Sequence, residues 1–344
     1  MLLLKVKSVG LLVGAASFFL SLAAPYLIYA AGDGAKSSGE IIVEVPNNSS
    51  LGQIALLLEQ KGVIANAFVF KVLAYLTGNS KNLKRGTYKF QSGESLFEVL
   101  EDLKTGSELM VKVTIPEGLR RAEIYSLLRQ SDLENQGQYE SAEKVSKLME
   151  VIQEKFPEAK NPEGFLFPDT YFFVKTQKES DILIAMAKNL FSRLPESFFS
   201  EEHPNRLTPY KTLILASIIE KETGDSSERG KISSVFHNRL AKGIPLQTDP
   251  TVIYGIKNFD GNLRRVHLRT LTPFNTYLIK GLTPTPISNP GLDSIMAALN
   301  PEKTKYFYFV AKGDGTSYFS KNLSEHNRAV RKYQLNRSKN YRSH

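Results

Sequence analysis

The chain contains no cysteine. Disulfides, thiolate catalysis and cysteine-ligated metal sites are therefore excluded, and no thiol is at risk in an oxidising exterior. Histidine is scarce: the five present show no HExxH or related metal spacing, so neither a metal nor a cofactor is expected. There is no GxSxG elbow, Walker loop or dinucleotide fingerprint, which leaves esterase and nucleotide chemistry without support. Zinc-finger and RNP signatures and a concentrated basic helix are also missing, which argues against nucleic acid. What remains is an ordinary globular composition over 344 residues, 42% hydrophobic and 23% charged. The net charge of +9, from 44 basic and 35 acidic residues, suits an anionic partner such as a membrane surface or an acidic polymer. Solubility alone accounts for it equally well.

One more absence is local. After "MLLLKVK", with Lys5 and Lys7, no charge occurs from Ser8 to Gly32. About 20 apolar residues span a bilayer core. Lysines before the run and Asp33 after it place the N-terminus in the cytoplasm and the remainder outside. Residues 1–32 are expected to be a cytoplasmic stub and transmembrane anchor, and residues 33–39 a Gly/Ser-rich linker. The alternative is a signal peptide cleaved near "YAAGDGA".

Beyond the linker a weak repeat appears. "IIVEVPNNSSLGQIALLLEQKGVI", "GTYKFQSGESLFEVLEDLKTG" and "VKVTIPEGLRRAEIYSLLRQ" each read as strand, turn and amphipathic helix. "NAFVFKVLAYLTG" adds a helix ending at Gly78. Residues 40–106 thus predict strand–helix–helix–strand. That order fits a small packing module and a carbohydrate-binding module of the LysM type equally. "NPEGFLFPDTYFF" cannot be helical between Pro162 and Pro168, and its aromatics either pack a core or line a groove where sugars stack. Downstream, "KESDILIAMAKNLFSRL" is an amphipathic helix with Ser180 or Asp181 near its N-cap. Further helices follow at "PYKTLILASIIEKE", "SERGKISSVFHNRLAKG" and "LDSIMAALNP", and a hairpin turns around Gly313-Asp314-Gly315. The fold class is α+β.

"LILASIIEKETG" raises a chemical question, because an almost wholly apolar helix, of the kind normally buried, ends in Glu220 and Glu222. Leu213, Ala216 and Ser217 share a face with Glu220, whereas Glu222 points about 200° away. A carboxyl group extending that buried face would be desolvated and hold its proton, as a general acid for glycosidic cleavage must. Pairing of Glu220 with Arg229, Arg239 or a lysine is the competing expectation. "LQTDPTVIYG" supplies Gln247, Thr248, Asp249 and Tyr254, "FNTY" supplies Asn275 and Tyr277, and "PEGFLFPDTY" supplies Glu163, Asp169 and Tyr171. Amides, hydroxyls and aromatic faces together suit a polyhydroxylated ligand, although Asx turns and caps explain each one singly.

These motifs, with "IPEG", "SVFHNRL", "GLTPTPISNPG" and "HN" at His326-Asn327, resemble the YceG-like endolytic murein transglycosylases along nearly the whole chain. The resemblance implies an anchor, a LysM-like module over 40–110, a larger mixed α+β catalytic domain over 111–334 and a basic tail over 335–344. It implies Glu220, the first Glu of "IIEKE", as the catalytic acid/base. Gln247, Thr248, Asp249, Tyr254, Asn275, Tyr277, Glu163 and Asp169 are then the candidate substrate-binding residues. The implied substrate is nascent peptidoglycan outside the cytoplasmic (inner) membrane, in a single-pass topology. The implied reaction is non-hydrolytic cleavage of the MurNAc–GlcNAc β-1,4 bond, leaving a 1,6-anhydro end, and cell-wall synthases are the suggested protein partners. Two alternatives stay open. One is a hydrolytic muramidase that adds Asp249 or Glu163 as a second carboxylate. The other is a non-catalytic glycan-binding scaffold.

Overall fold

In the computed structural model, residues 39–106, 109–145, 147–199 and 207–335 are described. The expected anchor, most of the linker, His203 and nearly all of the basic tail lie outside them. Among the described residues no helix is long and apolar enough to cross a membrane. The chain divides into two compact units: residues up to Lys112 together with Phe172–Thr176, and Val113–Tyr171 together with the chain from Gln177 onward.

Local sequence explains the elements of the first unit. β1 (Glu40–Val45) alternates exposed and buried side chains along its second half. α1 (Leu51–Gln60) begins at a capping box between Ser50 and Gln53. α2 (Ala67–Leu76) is capped by Asn66, whose side chain accepts from the N–H groups of Phe68 and Val69. β2 (Gly86–Gln91) pairs antiparallel with β1 over its full length. α3 (Leu96–Thr105) starts at a second capping box, Ser95 with Glu98, and stops at Gly106 in the left-handed conformation. β3 (Leu109–Thr114) follows. Val43, Ile54, Leu58, Phe70, Tyr88 and Phe90 are among the side chains that close this unit's core. The sheet order is β1-β2-β3-β4, its last strand, β4 (Thr170–Val174), supplied where the chain returns.

In the second unit come α4 (Arg121–Arg129), α5 (Tyr139–Val145), α6 (Leu148–Lys155), α7 (Glu179–Arg193), α8 (Pro209–Glu222), α9 (Arg229–Ala241), α10 (Asp249–Tyr254), α11 (Arg265–Arg269) and α12 (Leu292–Leu299). The hairpin is β5 (Tyr308–Ala311) and β6 (Ser317–Ser320), and α13 (Leu323–Val330) continues into a π-helical turn, Arg331–Leu335. α7 starts one turn-edge earlier than its serine and aspartate suggest, with Lys178 as N-cap. The aromatic segment is core rather than groove. Phe165 is fully buried, meets Phe156 edge-on at 5.0 Å and stacks with Tyr210.

α8 is the axis of this unit. Thr208 caps it, Pro209 opens it, and Tyr210 and Thr212 to Ile219 are all buried. It packs against α12 and is flanked by α9 and α10. The face bearing Ser217 is covered by chain. Ile287 N–H donates to Ser217 Oγ at 3.0 Å and Ser288 Oγ donates to the Ser217 carbonyl at 3.1 Å.

Candidate active site

The structure sorts the predicted residues into three groups. The first is an internal brace. Glu163 is 2% exposed and accepts from the Arg121 N–H at 2.9 Å, Asn289 Nδ2 at 3.1 Å and Tyr254 OH at 3.0 Å. Burial pushes its carboxyl up, against these donors. Asn289 also donates to the Leu119 carbonyl and accepts from the Leu166 N–H. "IPEG", "EGFLFP" and "SNPG" therefore meet at one buried amide. Glu163 and Tyr254 hold these loops together and do not face the cleft expected for them. Asp169 is elsewhere again. Although burial opposes it, Asn189, the Thr170 N–H and Arg193, at 2.8 Å, hold its carboxyl below the ordinary range.

The second group surrounds Glu220, one turn beyond Ser217. Its side chain is 8% exposed, with Oε1 lying 3.8 Å from Arg229 Nη2, and its Oε2 accepts the Gly291 N–H at 3.0 Å. Arg229 also reaches Glu117 at 3.5 Å and Asp293 at 3.1 Å. A Cβ at Gly291 would overlap the Glu117 carboxylate where it now lies, so a larger residue there would displace that side chain. Burial, then the neighbouring Glu220, pushes the Glu117 carboxyl up. The pairing with Arg229, the competing expectation for Glu220, is what the structure contains.

The third group opens on a cavity of about 560 Å³ lined by Glu222, Arg239, Gln247, Asp249, Tyr277, Tyr308 and His326, among others. Such a volume fits a small-molecule or sugar site. Glu222 leaves α8 on the face away from Glu220, and its Oε1 accepts from Thr248 Oγ1. Burial pushes its carboxyl up. Thr248 pulls it back, and the nearby Asp249 charge pushes it up again. Tyr277 OH donates to Asp249 Oδ1 at 2.7 Å, and burial followed by that bond pushes its phenol up.

The loop carrying these groups is held from beneath. Gln247 takes the left-handed conformation, φ 54°, a strain that persists where surroundings enforce it. Its N–H donates to the Thr276 carbonyl at 3.0 Å, and the Thr248 N–H donates to Thr276 Oγ1 at 3.1 Å. Arg239, 7% exposed, donates to the carbonyls of Phe307, Pro245 and Leu246. Its guanidinium lies 4.9 Å from the centre of the Tyr308 ring. Tyr308 stacks on His326 at 5.2 Å, and burial, then Arg239, holds that imidazole below its ordinary value.

Gln247, Asp249 and Tyr277 thus share one cavity, and Thr248 bonds the acid that opens on it. That acid is Glu222, and the expectation that these residues line a groove with Glu220 is corrected. Asn275 is fully buried and donates to the carbonyls of His267, Leu268 and Thr270, so it braces the α11 loop. Sequence reasoning set Glu222 aside, offered Arg239 only as a partner for Glu220, and gave Tyr308 and His326 no place in the groove, yet all four line this cavity. The helical wheel separated the two glutamates correctly but could not say which face would be covered by chain. Among the described residues no three histidine, aspartate or glutamate side chains are grouped to hold a metal ion.

A raised carboxyl group in a polar and aromatic cavity is an arrangement that acid–base cleavage of a glycosidic bond can use. Residues 43–332 match the model of the YceG-like family, and the chain belongs to that family. A Bacillus subtilis protein named endolytic murein transglycosylase is 34% identical over 315 residues, covering 86% of each chain. A Streptococcus pneumoniae protein of the same name is 30% identical, covering 86% of this chain and 59% of its own. A crystal structure of a YceG-like protein from Listeria monocytogenes aligns with TM-score 0.59 and 33% identity, covering 85% of this chain and 99% of that one.

Proposed function

We propose that this chain is a membrane-anchored endolytic lytic transglycosylase that cleaves the MurNAc–GlcNAc β-1,4 bond of peptidoglycan, with Glu222 as its acid/base. The observation that carries the residue assignment is the cavity itself. Glu222 opens on it together with Gln247, Asp249 and Tyr277, whereas Glu220 is closed off by Arg229 and Gly291. Burial favours the protonated form of Glu222, the form a general acid needs. Its proton passes to the leaving oxygen as the C1–O4 bond breaks. The carboxylate then takes the proton of the sugar's own 6-hydroxyl as O6 closes onto C1, giving the 1,6-anhydro end. The Thr248 hydroxyl, donating to Glu222 Oε1, orients the carboxyl group and stabilises its anionic form between the two transfers. The substrate supplies the nucleophile, so no second protein carboxylate is required.

Asp249 supports a second reading, because it lines the same cavity. A hydrolytic muramidase would use it to activate water. Mass spectrometry of products from purified glycan strands decides between them: anhydro ends support the lyase, and reducing ends sink it. Near-normal cleavage by folded Glu222→Gln would refute the assignment to Glu222.

The anchored topology, residues 1–32 in the cytoplasmic membrane with the remainder outside, rests on the charge flanks of the uncharged run. A reporter fused after Ser38 that works only in the cytoplasm would refute it. In the first unit, a groove of about 300 Å³ lined by Pro46, Asn47, Asn48, Ser49, Gln53 and Leu57 supports a LysM-like, glycan-binding role.

A further inference from the structure

A helix on the surface of a small unit normally turns a polar face to water. α1 and α3 do so, with Gln53, Glu59 and Gln60 on the one and Glu98, Glu101 and Lys104 exposed on the other. α2 does not. Its sequence, AFVFKVLAYL, holds one charge. One face is spent on the unit's core through Ala67, Val69, Phe70, Leu73 and Ala74. The opposite face is also apolar: Phe68 is 67% exposed, Tyr75 68% and Leu76 72%. Positions 68, 72, 75 and 76 fall on one side of a helix, with Lys71 beside them. Three large, mostly exposed apolar side chains on one short helix mark an interaction face rather than the scattered single residues of an ordinary surface.

Charge selects the partner. From Ala67 to Gly86 there are four basic residues, Lys71, Lys81, Lys84 and Arg85, and no acidic one. Lys81 and Lys84 are exposed. Lys71 Nζ lies 5.9 Å from the centre of the Phe68 ring, and aromatic side chains with a lysine beside them, on a stretch without acidic residues, match the boundary of a bilayer bearing anionic headgroups. An isologous dimer would bring this wholly basic stretch against its own copy, where like charges repel.

The tether is short. The uncharged run ends at Gly32 and β1 begins at Glu40. The seven residues between them reach at most about 25 Å when fully extended. A unit held that close meets the lipid surface at high effective concentration, so a weak face suffices.

We propose that the Phe68–Tyr75–Leu76 face of α2 docks on the anionic surface of the membrane that carries the anchor, an inference resting on the anchored topology above. The docking fixes the first unit at the bilayer.

The chain has no tryptophan, so a single introduced one reports alone. The full-length chain carrying Tyr75→Trp is reconstituted into phosphatidylcholine–phosphatidylglycerol vesicles with brominated acyl chains. Leu271→Trp, 75% exposed in the second unit, is the reference. The expected result is a blue-shifted Tyr75→Trp emission that loses most of its intensity to the brominated lipid, with Leu271→Trp unquenched. Adding Phe68→Ser and Leu76→Ser should abolish the quenching without moving the melting temperature, because both side chains stand in solvent. A chain that floats with the vesicles but leaves Tyr75→Trp unquenched overturns the docking face while the anchor stands. A chain that does not float refutes the anchor, and the docking with it. Equal quenching at both positions, quenching that survives the double serine change, or an emission shift that depends on protein concentration in detergent each overturns the proposal. The last result would assign the face to a second copy.

Discussion

Glu220 and Glu222 leave the same helix end two residues apart and enter different regions. Around Glu220 the chain supplies everything the carboxylate needs: an arginine, a backbone N–H and the closed loops of "IPEG" and "SNPG". Around Glu222 it supplies one hydroxyl and a cavity. Burial is common to both, so burial by itself does not make an acid. A carboxyl group whose partners come from its own chain is architecture. One left to face a polar cavity has lone pairs and a proton available to a substrate.

Exchanging each glutamate for glutamine is the sharpest way to break this comparison, and the largest effect falls on Glu222. Glu222→Gln should lower the cleavage rate by about 10²–10⁴-fold or more, the usual contribution of a general acid/base, with folding retained. Glu220→Gln should cost less than Glu222→Gln in rate, and the order of the two losses is the test. Next comes Tyr277→Phe, which removes the donor to Asp249. A charged hydrogen bond of about 1.5–3 kcal/mol corresponds to a roughly ten- to hundredfold loss. An effect on Tyr277→Phe equal to that on Glu222→Gln would favour the two-carboxylate hydrolase.

Stability separates the two regions in the opposite sense. Glu220→Ala strands the buried Gly291 N–H and should cost about 1–3 kcal/mol, read as a lower melting temperature at neutral pH. For Glu222 the size of the effect depends on pH. Its folded-state value is raised, so its titration adds no cost while both states are protonated. The cost grows as pH climbs from the unfolded value of about 4.3 through the folded value. Wild type should therefore lose stability relative to Glu222→Gln as pH rises, and a difference that stays flat refutes the buried acid. The smallest effect is expected in the first unit. Asn47→Ala with Asn48→Gly, glycine being suited to the φ of 66° at position 48, should weaken binding of long glycan strands and leave the turnover rate unchanged.

The first unit was legible because its signals are local. Ser50 with Gln53, Asn66, and Ser95 with Glu98 announce helix starts within four residues of chain, and the strands alternate between them. In the second unit "LQTD", "FNTY" and "SNPG" stood out as polar loops, but their destinations depend on neighbours far along the chain. Asn275 and Tyr277 are two residues apart, yet one braces backbone carbonyls and the other meets Asp249. The short helix α11 and the His326 helix α13 carried too little periodicity to announce themselves.

By itself the sequence determined the family, the α+β elements and the apolar helix that must deliver two glutamates on opposite faces. Helical geometry sets that divergence before any packing occurs. Only the tertiary structure decided which face is sealed. The loop at 287–291 satisfies Ser217 and Glu220 with its own N–H and hydroxyl groups, while α10 and the Arg239-braced loop leave Glu222 opening on the cavity. A carboxyl group's role depends on which partners reach it, and those partners, Arg229 and Gly291 for the one and Thr248 for the other, lie outside the helix that carries it.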